Sequence, residues 1–135
     1  MDVGKAIYTL MQNSSEIRSL VDERVFPSRY LNDNINHKVP YITYQRVSQQ
    51  PNNTKNGAST YDYVTVQINA YAITYAEVVA LSQKIRTALD YTSGTYSGVV
   101  IDKCFYESST DVFYDNAGSV GIYGISADYR FNINR

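Results

Sequence analysis

The sequence predicts an α+β fold: an antiparallel sheet of about four strands with helices packed on one face, in the order α-α-β-β-α-β-β. Three observations carry that expectation. Tyr61 to Ala72 alternates strictly, with Val64, Val66, Ile68, Ala70 and Ala72 on one side and Tyr61, Tyr63, Thr65, Gln67, Asn69 and Tyr71 on the other. The stretch after Thr74 changes period, placing Val78, Leu81, Ser82, Ile85, Ala88 and Leu89 on one helical stripe. Strand-like segments also come in pairs with no helix between partners, which favours hairpins over parallel crossovers.

The elements follow in order. Asp2 to Asn13 reads as a helix capped by Asp2, with Val3, Ile7, Leu10 and Met11 on one face. SSEIRSLV is a second short helix, with Ser14 or Ser15 as cap and Ile17, Leu20 and Val21 inward. A short extended piece around Val25 to Pro27 leads into a loop reaching Pro40. Tyr41 to Val47 is a strand by its β-branched and aromatic content. Ser48 to Thr60, SQQPNNTKNGAST, reads as a long polar loop without a large apolar residue. The Tyr61–Ala72 strand then passes to a helix through Thr74 and Glu77, a T-x-x-E capping box. YTSGTYSG is a turn-rich link, Val99 to Glu107 a strand, and SSTDVFYDNAGS a polar loop. Val120 to Ile133 is the last strand, with Ile125, Ala127, Tyr129 and Phe131 on one side.

The totals set outer limits. A chain of 135 residues suits one domain and buries roughly two thirds of its unfolded surface. Twelve Lys plus Arg against 13 Asp plus Glu leave no basic surplus of the kind a general nucleic-acid binder carries. No run of apolar residues is long enough to span a membrane. The start MDVGKAIYTL lacks a signal-peptide apolar region, so synthesis in a cytoplasm is the expectation, and the sequons at Asn13 and Asn52 carry no meaning without secretion. A single cysteine, Cys104, excludes an internal disulfide. The chain has 14 tyrosines and no tryptophan. Tyrosine favours strands and also interfaces, since it offers large contact area with a polar tip.

Catalysis needs a constellation, and none is visible. His37 is the sole histidine and sits among loop residues. Cys104 lies mid-strand between Lys103 and Phe105, where a cysteine is usually a small buried hydrophobe. There is no C-x-x-C, H-E-x-x-H, G-x-S-x-G or phosphate loop. Asp111, Asp115, Asn116 and Gly118 do not match the alternating oxygen ligands of a calcium loop and read as turn chemistry. Glu107, Asp111 and Asp115 read as a solvated hairpin tip. No catalytic residue, metal or cofactor is therefore expected.

Several segments together resemble the bacteriophage tail-completion family, the tail terminator or head–tail joining proteins of long-tailed phages. They are Leu20, Val21, Arg24, Val25, Phe26 and Pro27; then Val39, Pro40, Tyr41 and Ile42; then Tyr71, Thr74 and Tyr75 ahead of an alanine-rich helix. The resemblance runs from about Ala6 to Asp90 and continues more faintly in DVFYDNAGS and DYRFNI. It implies a non-enzymatic virion protein at the tail–head junction, made in the bacterial host cytoplasm. It also implies a ring, commonly a hexamer, that caps the tail tube and presents a surface to the head connector, with the genome passing through the hole. Implied partners are other copies of the chain, the tail tube protein and a connector or neck protein, with no membrane.

Ring interfaces are heterologous, so each subunit needs two different patches. Candidates are Tyr61, Tyr63 and Tyr71 on the uncharged strand face, Pro51, Asn53 and Lys55 in the long loop, and Asp111, Tyr114 and Asp115 near the second loop. The loop is expected to act as an arm that contacts protein rather than DNA, because Lys55 is its only charge. Three other readings compete: a different neck adaptor, a nucleic-acid-binding module using the tyrosine face, and a small hydrolase around Cys104 and His37.

Overall fold

In the computed structural model, residues 2–22, 24–27, 40–51, 57, 61–114 and 122–134 are described, Tyr114 by its backbone alone. The elements are α1 (Val3–Gln12), α2 (Ser15–Val21), β1 (Val25–Pro27), β2 (Tyr41–Pro51), β3 (Tyr61–Ala72), α3 (Tyr75–Leu89), β4 (Gly94–Tyr96), β5 (Val99–Tyr114) and β6 (Ile122–Asn134).

Local chemistry starts each helix. The Asp2 carboxylate accepts from the Lys5 amide at 3.0 Å, the Ser14 hydroxyl from Ile17 at 3.4 Å, and the Thr74 hydroxyl from Glu77 at 3.2 Å. Each bond satisfies a donor that the first helical turn leaves without an intrahelical partner. All three helices pack on one face of the sheet, as the apolar stripe of α3 predicts. Val78, Leu81, Ile85 and Leu89 are buried there beside Ile7, Met11, Ile17 and Val21. The sheet contributes Val64, Val66, Ile68, Cys104, Tyr129, Phe131 and Ile133 to the same cluster.

The sheet departs from the expectation in strand number and direction. Among the described residues it has six strands, in the order β1-β2-β3-β6-β5-β4. The extended piece Val25–Pro27 is a genuine strand, and it pairs parallel with β2, so the sheet is mixed rather than wholly antiparallel. The link YTSGTYSG contains β4, joined to β5 through Ser97 and Gly98, both at positive φ. Such a two-residue turn matches the twist of the strands it joins. The SSTDVFYDNAGS loop also needs correction, because its first part, Ser108–Tyr114, continues β5 along β6. Likewise Ser48–Pro51 belongs to β2, paired with Thr65 to Asp62, so the long polar connection starts later than expected. Three bulges, at Val47, Asp102 and Glu107, re-aim these long strands.

The sheet curls around the helices. α1 touches β1 and β2 near one edge and β4 at the other, and the Thr9 hydroxyl lies 2.8 Å from that of Ser97 in the β4–β5 turn. At the C-terminal end of α3, the Asp90 carboxylate accepts from the Tyr106 amide at 3.0 Å. The Arg86 guanidinium lies 4.0 Å above the Tyr106 ring. These contacts fasten the first half of β5 to the helix layer.

Candidate functional site

Among the described residues the opposite face of the sheet carries no helix, and this helix-free face is a polar and aromatic surface built by cross-strand neighbours. At its centre, Asn69 donates to the Thr43 hydroxyl at 3.2 Å and accepts from the Ser126 hydroxyl at 2.6 Å. This ladder crosses β2, β3 and β6, and it lets Thr43 and Asn69 be buried although the face carries no helix. At one end, Tyr71 stacks on Tyr41 with ring centroids 4.8 Å apart. A Cβ on Gly124 would come within 3.1 Å of the Tyr71 ring, so glycine lets that ring lie over β6. At the other end, Tyr61 and Tyr63 meet edge to face at 5.9 Å. The Tyr61 hydroxyl donates to Asp102, and that bond, with a small desolvation effect, pushes its phenol pKa up to about 12. The Arg130 guanidinium lies 5.7 Å from the Tyr63 ring and 5.1 Å from that of Phe105.

Charge on this face is balanced. Lys103 and Arg130 share it with Asp102 and Asp128, placed there by strand register and the bulges.

On the helix side, an aromatic cluster stands at the connected end of the β5–β6 hairpin, where β5 ends and β6 begins. Tyr123 packs against Phe113 at 4.8 Å and Tyr75 at 5.9 Å, and the Tyr75 hydroxyl donates to Asp111 at 2.9 Å, raising the Tyr75 pKa. Phe113 is nonetheless 53% exposed. Beside β2 lies a cavity of about 340 Å³, lined by Val3, Gly4, Ile7, Pro27, Tyr44 and Val66 together with the polar side chains of Asp2, Gln45 and Arg46. Burial and the nearby Asp2 carboxylate raise the Tyr44 pKa.

The predicted site residues do not form one patch. Tyr61, Tyr63 and Pro51 sit at one end of the sheet, and Tyr71 at the other, roughly 30 Å away along β3 at ~3.3 Å per residue. Asp111 is level with Ala70, the neighbour of Tyr71, and lies on the opposite, helix side. Tyr114 ends β5, and Pro51 is exposed at the end of β2. Asn53, Lys55 and Asp115, with His37, Asn116 and Gly118, lie outside the described residues. Sequence reading missed the Asn69 ladder, Arg130, and the Phe113 and Tyr123 cluster. The β-branched and aromatic run Thr110, Val112, Phe113 was the available signal for the last of these.

Cys104 faces the core on β5 and is fully buried. Burial, with the Asp90 carboxylate nearby, pushes its thiol far above the ordinary value, the reverse of what a nucleophile needs. Among the described residues no three His, Cys, Asp or Glu side chains gather to hold a metal, and no helix is long and apolar enough to cross a membrane.

The described residues thus form a sheet backed by helices on one face, with a polar and aromatic opposite face and the Cys104 thiol in the core. Residues 5–133 match the family described as Tail completion protein gp17. The chain belongs to that family, and so to the structural proteins of phage-type virion tails. Among solved structures it resembles a chain of the "Virion of native gene transfer agent (GTA) particle", with a TM-score of 0.75 and 13% identity, over 98% of this chain and 95% of that one. At that identity the likeness speaks to the fold. Comparison with curated proteins finds no match.

Proposed function

We propose that this chain caps the tail tube as a ring, commonly of six copies in proteins of this kind, and joins the tail to the head connector without catalysing a reaction. The observation that carries the reading is the family match across residues 5–133. The surface chemistry supports it. The helix-free face balances Lys103 and Arg130 against Asp102 and Asp128, which suits a wall that DNA slides past. Partners are further copies of the chain, the tail tube protein and a connector or neck protein, and the location is the tail–head junction of the virion.

Tyr61, Tyr63 and Tyr71 remain the proposed contact face. Pro51, Asn53 and Lys55, with Asp111, Tyr114 and Asp115, are the proposed loop and hairpin contacts. The decisive experiment is electron microscopy of intact particles with the chain labelled. Density at the tail–head junction supports the reading, and density elsewhere in the particle overturns it.

A further inference from the structure

Among the described residues, both edges of the sheet are only half covered. β1 pairs with Ile42, Thr43 and Tyr44 of β2 and then stops. Among the described residues no strand lies beyond Gln45–Pro51, and all but Ser48 of these are exposed. At the other edge, β4 pairs with Val99 to Ile101, Tyr91 and Thr92 bond to Cys104, and Asp90 takes the Tyr106 amide. Past that point Glu107–Phe113 has no outer neighbour among the described residues, and all of it but Val112 is exposed. Long open edges are unusual because they recruit other strands.

The two open halves fit one another. Register across β2, β3, β6 and β5 places Gln50 level with Lys103 and Tyr41 level with Val112. The open halves therefore lie at opposite ends of the strands, like two complementary steps. β2 and β5 run antiparallel within one sheet, so a neighbouring copy in the same orientation would offer β5 antiparallel to β2. Shifting that copy by about 20 Å along the strands, six positions at ~3.3 Å each, brings the open halves side by side. In that position β1 of one copy and β4 of the next fall clear of each other.

Side-chain chemistry agrees with the shift. Keeping faces matched places Phe113 opposite Arg46, on the helix side of both strands. Arg46 lines the cavity beside the apolar Val3, Ile7 and Val66, and Phe113 is an exposed aromatic. Arg46 is the only charge in Gln45–Pro51, whereas Glu107–Phe113 carries Glu107 and Asp111. We propose that copies of this chain join by strand addition, the open half of β2 receiving the open half of β5 from the next copy, with Phe113 seated in the cavity beside Arg46. The proposal rests on the ring reading and supplies its joint. Four strands of about 4.8 Å separate successive joints, so the shift corresponds to a strand tilt of roughly 45°, at the upper end of the range at which sheets close into barrels.

The test is a full-length chain carrying Ser48→Cys and Val112→Cys, which the matched register sets opposite each other across the joint beside the Val47 bulge. The assembled protein, alone or on tail tubes, is oxidised and run without reductant. A ladder of covalent multimers up to the ring number is expected, with each single variant remaining monomeric. Rings visible by electron microscopy whose double variant stays monomeric would overturn the strand joint while leaving the ring standing. Particles with no ring would remove both. As a second variant, Phe113→Asp should weaken assembly about tenfold or more with unchanged circular dichroism. Unchanged assembly would overturn the seating of Phe113.

Discussion

On the helix side of β3, Val64, Val66, Ile68, Ala70 and Ala72 are at most 1% exposed. On the other side Tyr61, Tyr63, Thr65, Gln67 and Tyr71 stay half-buried. Alternate residues of one strand thus serve two different ends. The first face is held by burial of apolar area, which is indifferent to direction. The second is held by oriented contacts: the Asn69 ladder, the Tyr41–Tyr71 stack and the Tyr61–Asp102 bond. A face held by oriented contacts can be ordered in a lone subunit and still offer aromatic area to a partner.

Four substitutions probe that contrast. The largest effect belongs to the apolar face, where Phe131→Ala should cost about 3–5 kcal/mol by leaving a cavity against Cys104. Chemical denaturation reads this, and a loss below about 1 kcal/mol would mean the core collapses around the gap. Asn69→Ala should cost about 1–3 kcal/mol, because Thr43 and Ser126 lose their shared partner on a buried stretch. The same denaturation experiment decides it, and a neutral result would show that the ladder only decorates the face. Tyr63→Glu should change stability by less than about 1 kcal/mol and weaken assembly, as sedimentation would show. An unchanged sedimentation profile would remove this face from the interface.

The smallest effect concerns protonation. The Tyr61 phenol is raised in the folded chain, so its bond to Asp102 contributes stability that is intact below the ordinary value of 10.0 and is lost as pH rises through about 12. Asp102→Asn should bring the Tyr61 titration, followed by NMR, back toward 10.0. A titration that stays put would assign the shift to another cause.

Much of the fold was legible because its signals are local. The caps at Asp2, Ser14 and Thr74, the period of α3 and the alternation of β3 each need only a few neighbouring residues, and each stands where expected. The errors fall where pairing decides. Val25–Pro27 and Gly94–Tyr96 are too short to show a period, and only their neighbours β2 and β5 make them strands. Ser108–Asp111 and Ser48–Pro51 are polar because they are exposed edges, so composition alone read them as loops. The Ser97–Gly98 turn was the one local mark of β4. Site residues were harder still. Arg130 and Phe105 come together through the β5–β6 register, and Asp102 reaches Tyr61 because a bulge turns it outward. Neither fact is written in any short stretch of sequence.

The place of β6 sets the order in which the molecule can be completed. It follows β5 in the chain yet lies between β3 and β5, pairing Tyr61 with Asn134 and Ala72 with Tyr123. Until Ile122–Asn134 has left the ribosome, β3 carries an unfilled flank and the apolar face lacks Tyr129, Phe131 and Ile133. Folding by so many distant pairings is slow. A growing chain therefore remains adhesive until β6 is made, and shortening β6 would leave an aggregating product rather than a smaller folded one.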